Sequence, residues 1–273
     1  MKVDICCIAR REEMTIVDWV EYHRRLGINH IYIFDNNDVD DFSMNLLLKP
    51  YIDIGYVSLF TIFKGKQAKQ IEAYNISIQE INKSGLTNWT AFIDCDEYLV
   101  LNEKYKTFSD FFNEVEEKCP DIGVLYVNWI CYTASKNILY EPRPVVERFT
   151  ERLNDLKVNN HVKSIVKGGC HAGFYLPHNA KIIDGKKIYN MNFKEADCSP
   201  FQTFTEGQSL YINHYVTKSV QEYVYRKYGK GTADAIGQNY YNFDYFLQHN
   251  NNDREYYEKP FNDFIKLYNN GQN

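Results

Sequence analysis

Trp89-Thr90-Ala91-Phe92-Ile93-Asp94-Cys95-Asp96-Glu97-Tyr98 is a short apolar run that ends in three carboxylates. Its first five residues favour burial as a strand. The next residues carry anions that repel one another and resist desolvation. A strand end keeps such a cluster when a cation sits beside it, and an oxygen-ligated divalent metal fits. Metals held by one or two carboxylates complete their shell with water and substrate phosphates. The Asp94-x-Asp96 spacing therefore points to a metal-bridged phosphate substrate.

Upstream, strands alternate with helices. Val3 to Ile8 is short, apolar and β-branched, and a polar turn follows at Ala9-Arg10-Arg11-Glu12-Glu13. A helix is predicted from about Met14 to Leu26, with Ile16, Trp19, Val20, His23 and Leu26 on one face. Thr15 and Asp18 have the spacing of a capping box, and Gly27 sits where a left-handed residue ends a helix. Ile28 to Phe34 reads as the second strand, ending at Asp35-Asn36-Asn37-Asp38, and Gly55 to Phe60 as the third. A helix from about Gln67 to Lys83, with Ile71, Tyr74, Ile78 and Ile81 inward, leads to the fourth strand, Trp89 to Ile93. This alternation predicts an α/β fold, a mostly parallel sheet with flanking helices. Such sheets bind ligands at the carboxyl ends of their strands. Arg10, Asp35 and Asp94 each follow a predicted strand, so their loops are expected on one edge.

After Leu101 the pattern changes. Phe108 to Cys119 is helical and Gly123 to Trp129 strand-like. Tyr140 to Lys157 is polar, with prolines at 142 and 144. His161 to Val166 is another strand, His171 to Ile188 is loop-rich, and Leu210 to Ile212 leads into His214. From Ser219 the chain is helical, with Ser219 and Glu222 spaced as a capping box. A polar break at Gln248 to Asn252 precedes a last amphipathic helix around Asn262 to Tyr268. The expected organisation is a phosphate-site half over 1–101, a mixed second half over 102–235 and a helical tail over 236–273, in one continuous domain.

Composition narrows the partners. A net charge of −5 and scattered Lys and Arg argue against nucleic acid. Tyr (23) and Phe (17) are abundant, which suits core packing or stacking on sugars. Seven cysteines, an odd count with no Cys-x-x-Cys pair, give no zinc spacing and no disulfide framework. The N-terminus lacks a signal-peptide apolar run, and no segment approaches about 18 apolar residues. The expectation is a reduced, cytoplasmic compartment, compatible with peripheral work at the inner membrane face. There is no dinucleotide glycine fingerprint and no Gly-x-Ser-x-Gly elbow. Gly229-Lys230-Gly231-Thr232 lacks the upstream glycine of a P-loop.

A second run, Ile212-Asn213-His214-Tyr215-Val216-Thr217-Lys218-Ser219, places a histidine at a strand end and a lysine before a capped helix start. A histidine with two aspartates makes a metal set, and Lys218 is placed to neutralise a diphosphate.

With this run, five pieces resemble glycosyltransferases of family 92 and the related family-2-like bacterial enzymes. They are Ile8-Ala9-Arg10-Arg11-Glu12-Glu13, Trp19-Val20-Glu21-Tyr22-His23-Arg24-Arg25-Leu26-Gly27, Ile31-Tyr32-Ile33-Phe34-Asp35-Asn36, Phe92-Ile93-Asp94-Cys95-Asp96-Glu97-Tyr98 and His214-Tyr215-Val216-Thr217-Lys218-Ser219. They occur in the family's order across roughly residues 4 to 231. The resemblance implies a GT-A-type, Rossmann-like sheet with an acceptor-side second half. It also implies a nucleotide-sugar donor (a UDP-sugar foremost) and Mn²⁺ or Mg²⁺. By that carry-over Arg10, Glu12 and Asp35 line the nucleoside, Asp94 and Asp96 serve ribose and metal, and His214 is a late metal ligand. Lys163, His171 and His178 become candidate contacts to donor diphosphate or acceptor. The first loop reads Arg10-Arg11-Glu12 where relatives often have Arg/Lys-Asn-Glu, which leaves the acidic role open between Glu12 and Glu13.

The implied chemistry is sugar transfer to a glycan or glycolipid acceptor, by inversion, in surface polysaccharide synthesis. The leaving diphosphate gains charge, which a metal and Lys218 would offset. A base must take the acceptor's proton. Glu147 is the first candidate, with Asp155, Glu195 and Asp197 behind it. A sugar-phosphate nucleotidyltransferase is a second reading, although Ala9 to Glu13 holds no glycine. A non-catalytic carbohydrate-binding protein is a third.

Overall fold

The structure, a computed structural model, describes residues 1–84, 88–229 and 240–270. The chain runs β1 (Val3–Ala9), α1 (Ile16–Leu26), β2 (His30–Asp35), α2 (Ser43–Asp53), β3 (Val57–Phe60), α3 (Gln70–Ser84), β4 (Trp89–Phe92), β5 (Glu97–Leu101), α4 (Phe108–Lys118) and β6 (Ile122–Cys131). It continues through α5 (Val145–Arg148), a 3-10 turn (Leu156–Asn160), β7 (Val162–Lys167), β8 (His171–Leu176), β9 (Asn179–Ile182), β10 (Lys187–Asn190) and β11 (Leu210–His214). The helices α6 (Val220–Arg226), α7 (Phe243–Gln248) and α8 (Arg254–Asn270) follow.

One sheet has the order β3-β2-β1-β4-β7-β6-β11-β5, with β10 pairing β6, and β8–β9 form a separate hairpin. β1 runs parallel to β2 and β4, β2 to β3, and β6 to β10 and β11. The antiparallel pairs are β4–β7, β6–β7 and β5–β11. This is the mostly parallel α/β sheet of the GT-A expectation, with a mixed second half. β5 pairs β11 across more than a hundred residues, so the sheet passes unbroken through the division at residue 101. The division at 235 lies outside the described residues.

The strand period explains the layers. In β1, Ile5 and Cys7 join the core under α1, α2 and α4, while Cys6 faces the opposite core under α3 and the β8–β9 hairpin. Both faces are covered, so β1 is apolar apart from the buried Asp4. A third apolar cluster joins Val220 and Tyr223 of α6 to Phe246, Tyr257 and Phe261 of α7 and α8. Among the described residues no helix is long and apolar enough to cross a membrane, and every described cysteine is a free thiol.

Four expectations need correction. Residues 43–53 form α2, which sequence reading left without an element because Pro50 sits inside it; Met44 and Leu48 nonetheless bury one face. Residues 97–101 form strand β5, hidden by its carboxylate-led start. The loop-rich stretch 171–188 holds β8, β9 and the start of β10. Thr15 makes no side-chain cap. Asp18 instead accepts from the Tyr98 hydroxyl and the Val145 amide, and Thr15 accepts from Lys218.

Gly27 closes α1 at φ +97°, donating its amide to Arg24 O, as its position predicted. A Cβ there meets nothing within 4 Å. Gly27→Ala is therefore expected to lose about 1 kcal/mol from the left-handed backbone alone. A urea unfolding midpoint equal to wild type would contradict this.

Candidate active site

β2, β1 and β4 lie side by side and parallel, with Ala9 in register with Asp35 and Cys6 with Phe92. Their carboxyl ends deliver Arg10, Asp35 and Asp94 to one edge, as expected. Asp35 is fully buried; its carboxylate accepts from the Asn37 amide and lies 3.8 Å from Lys64 Nζ. Burial raises its pKa above the usual carboxylate range. Arg10 reaches Asp38 at 3.3 Å across the same edge.

Asp94 opens onto a cavity of about 440 Å³, which His214 and Lys227 also line. Its Oδ1 accepts from Gln70 Nε2 at 2.6 Å and its Oδ2 from Lys163 Nζ at 2.8 Å. Glu97, buried behind it, accepts from the Asp94 amide and lies 3.6 Å from Lys163. Burial opposes charge on Asp94, but Lys163 outweighs it and holds the carboxyl below its ordinary range. Lys163 is itself buried, with its pKa raised by Asp94 and Glu97 against that burial. So Lys163, expected to touch a ligand, is the internal counter-ion of Asp94.

Asp96 lies deeper. Its Oδ2 is 2.7 Å from Lys227 Nζ and 3.1 Å from Arg226, and its Oδ1 is 3.7 Å from His214 Nε2. Burial works against its charge, yet Lys227, His214 and Arg226 hold it well below the usual range. Burial lowers the pKa of His214, which stays a neutral imidazole. The cation that three crowded carboxylates demanded is thus provided three times by the chain itself.

Arg226 links this wall to the first loop. Its guanidinium grips Glu12 through Nε at 2.9 Å and Nη2 at 2.5 Å, and the same Nη2 reaches Asp96. Lys218 Nζ also points at Glu12, at 3.2 Å, and donates to Thr15 at 2.6 Å. Glu12 is therefore buried inside a charge network and does not line this cavity. Glu13 instead accepts from Asn37 and Tyr225. Neither glutamate lies on the cavity.

Other expected residues lie elsewhere. Lys218 is fully buried and does not line the cavity; the Ser219–Glu222 capping box behind it turns the lysine into the interior. Glu147 sits on α5 in a different groove, formed with Tyr22, Tyr51 and Tyr140, so the structure does not bring it to Asp94. Pro144 starts that short helix. His171 is buried at the start of β8, off the cavity, whereas His161 and His178 reach it. Sequence reading missed Arg226, Lys227, Trp129 and His249. A signal for Arg226 existed: it follows Glu222 by four residues on the buried face of α6 with Val220 and Tyr223. Glu222 is itself gripped by Arg148, at 2.7 and 3.0 Å.

Two residues here could hold a divalent cation. Asp96 Oδ1 and His214 Nε2 are spaced to meet one ion, with phosphate oxygens and water completing the shell. Among the described residues no third His, Cys, Asp or Glu joins them in a preformed set.

The chain also resembles known proteins. A plant protein of Ricinus communis, described as a glycosyltransferase family 92 protein, is 27% identical over 128 residues. The match covers 44% of this chain and 22% of the plant protein's length. Among solved structures, S. aureus TarS 1–349 in complex with UDP aligns with a TM-score of 0.40 at 11% identity, over 62% of this chain and 47% of that one. S. aureus TarS aligns at 0.36 and 10%, over 62% and 28%. The family model for glycosyltransferase family 92 matches residues 5–264, taking in most of β1, the Asp94-x-Asp96 run, His214 and α6. On that match the chain belongs to glycosyltransferase family 92.

Proposed function

We infer that this chain transfers a sugar from a nucleotide-sugar donor, a UDP-sugar foremost, to a glycan or glycolipid acceptor, with Mn²⁺ or Mg²⁺ as cofactor. The observation that carries the reading is the pairing of Asp96 with His214 directly behind Asp94 on a cavity at the sheet's carboxyl edge. Asp96 and His214 would hold the metal, with Asp94 beside them on the donor's diphosphate or ribose. When bound, the metal offsets charge gathering on the leaving diphosphate. Lys163 and Glu97 keep Asp94 in one orientation, and Arg226 keeps Asp96 in place. Lys227, partly exposed to the cavity, is the cation nearest an incoming phosphate.

Inversion suits the lining. Retention through a covalent sugar intermediate most often uses a carboxylate nucleophile. Among the described lining residues only Asp94 is a carboxylate, and both its oxygens are bonded.

Thermal unfolding with UDP and Mn²⁺ tests the donor site. At a hundredfold excess over Kd, ligand binding adds about 2.7 kcal/mol. That is a rise in Tm of roughly 5–10 °C for a chain of this size. UDP-sugars should also be hydrolysed slowly. Absence of both responses would remove the reading. Pyrophosphate release from a nucleoside triphosphate and a sugar phosphate would replace it with nucleotidyl transfer.

A further inference from the structure

Three histidines on the cavity share one arrangement. Nδ1 of His161 lies 3.0 Å from Val158 O, that of His178 2.9 Å from Val162 O, and that of His249 2.9 Å from Tyr245 O. A backbone carbonyl only accepts, so each Nδ1 carries the proton. Burial lowers the pKa of all three rings, to about 3 for His178, where Lys163 adds to it, and to about 4 for His249. At neutral pH each Nε2 is therefore a bare lone pair.

The rings are fixed as well as neutral. His161 stacks on Trp129 at 4.9 Å and 15°, His178 meets the indole edge-on at 5.4 Å, and His249 stacks on Tyr245 at 4.2 Å. Stacked aromatic faces hold a ring in place by packing. The wall thus offers hydrogen-bond acceptors and aromatic faces. Sugar hydroxyls donate to such acceptors, and the C–H face of a pyranose packs on such rings. A carboxylate set against this wall would meet three lone pairs and be repelled, Lys227 beside Asp96 being the cation among the described lining residues.

Resting on the glycosyl-transfer reading, we propose that His161, His178 and His249, with Trp129, form a subsite for an uncharged, hydroxyl-rich sugar ring. Each Nε2 accepts a hydrogen bond from a ring hydroxyl. The ring belongs to the acceptor or to the donor's own sugar, and the test separates the two.

The experiment is saturation-transfer NMR on the full chain with methyl glucoside, methyl galactoside and glucuronate, with and without UDP-glucose. The neutral glycosides should receive saturation and glucuronate should not. Persistence in the presence of UDP-glucose assigns the ring to the acceptor; displacement assigns it to the donor. His161→Phe and His249→Phe keep a stacked ring but lose Nε2, and each should weaken glycoside binding roughly three- to tenfold. His249→Gln, which regains an acceptor, should recover part of the loss. The Tm rise with UDP, unchanged in each variant, reports an intact fold and donor site. Glucuronate binding as well as the neutral glycosides overturns the proposal. So does unaltered glycoside affinity in both phenylalanine variants. Glycoside binding without any response to UDP keeps the subsite and removes the donor reading.

Discussion

Asp96→Ala is expected to abolish sugar transfer and donor hydrolysis, by about a thousandfold or more. Asp96 is the meeting point of the first loop, the fourth strand and α6: Arg226, Lys227 and His214 all converge on its carboxylate. Loss of a single preorganised electrostatic group at a reacting oxygen costs roughly 10²–10³ in rate. Asp96 does more, because its removal also releases Lys227 and would take away one anchor of the proposed metal. Asp96→Asn keeps the shape and loses the charge, so it should be nearly as inactive while folding better. The comparison that gives the result meaning is Glu147→Gln. Glu147 is exposed on a separate groove, so its variant should retain activity within about twofold, as surface substitutions away from such features usually change little. An Asp96→Ala enzyme that still hydrolyses donor at the wild-type rate would sink the metal and diphosphate assignment together. A dead Glu147→Gln enzyme would return the base to its sequence-based position.

The difference between these two residues shows what a sequence can carry. Asp94, Asp96 and His214 were legible because their chemistry is local: a carboxylate cluster breaks an apolar strand, and a histidine ends another. The edge position of Asp94 followed from the parallel alternation, which puts successive strand ends together, whereas His214 was tied to it by the family resemblance. Glu147 was read from a linear segment, and its distance from the site depends on how the proline-bearing 140–148 stretch folds against α1, which no local pattern states. Lys163 and Lys218 were legible as cations, but not as buried ones. Each sits in an ordinary-looking run, and its partner is far away in sequence: Asp94 for one and Glu12 for the other. The same distance hid Arg226 and Lys227, which meet Asp96 from the end of α6, 130 residues downstream in the case of Arg226. Long-range charge pairing is the part of this site that sequence reading did not supply. It also changed the meaning of the opening motif, whose anions proved to be matched by internal cations.

Glu12→Gln is the substitution expected to damage the fold most. Glu12 holds Arg226 through two hydrogen bonds and Lys218 through a third contact, all in a buried setting. The amide keeps the shape but leaves two buried cations facing a neutral group. Removing one partner of a buried ion pair costs about 3–5 kcal/mol. That is a large share of the roughly 5–15 kcal/mol that holds a domain together. At about 2–4 °C per kcal/mol, Tm should fall by roughly 6–20 °C. Lys218→Met in the same chain removes one of the stranded cations and should restore part of the loss, because the two sites share a contact. The pH dependence carries a second signature. Burial raises the pKa of Glu12, but Arg226 and Lys218 outweigh it and leave it lowered in the folded state. A carboxylate lowered in this way contributes stability that is present above its unfolded pKa of about 4.3. That contribution is lost as pH falls through the folded value. Wild type should therefore lose stability below about pH 4, and Glu12→Gln should show a shallower decline over the same range, with Asp96 and Glu222 accounting for what remains. A Glu12→Gln protein that melts within a degree of wild type, with an unchanged acid profile, would mean that the cations find other partners. The Glu12–Arg226–Asp96 link would then not be what holds the first loop against the Asp94-x-Asp96 wall.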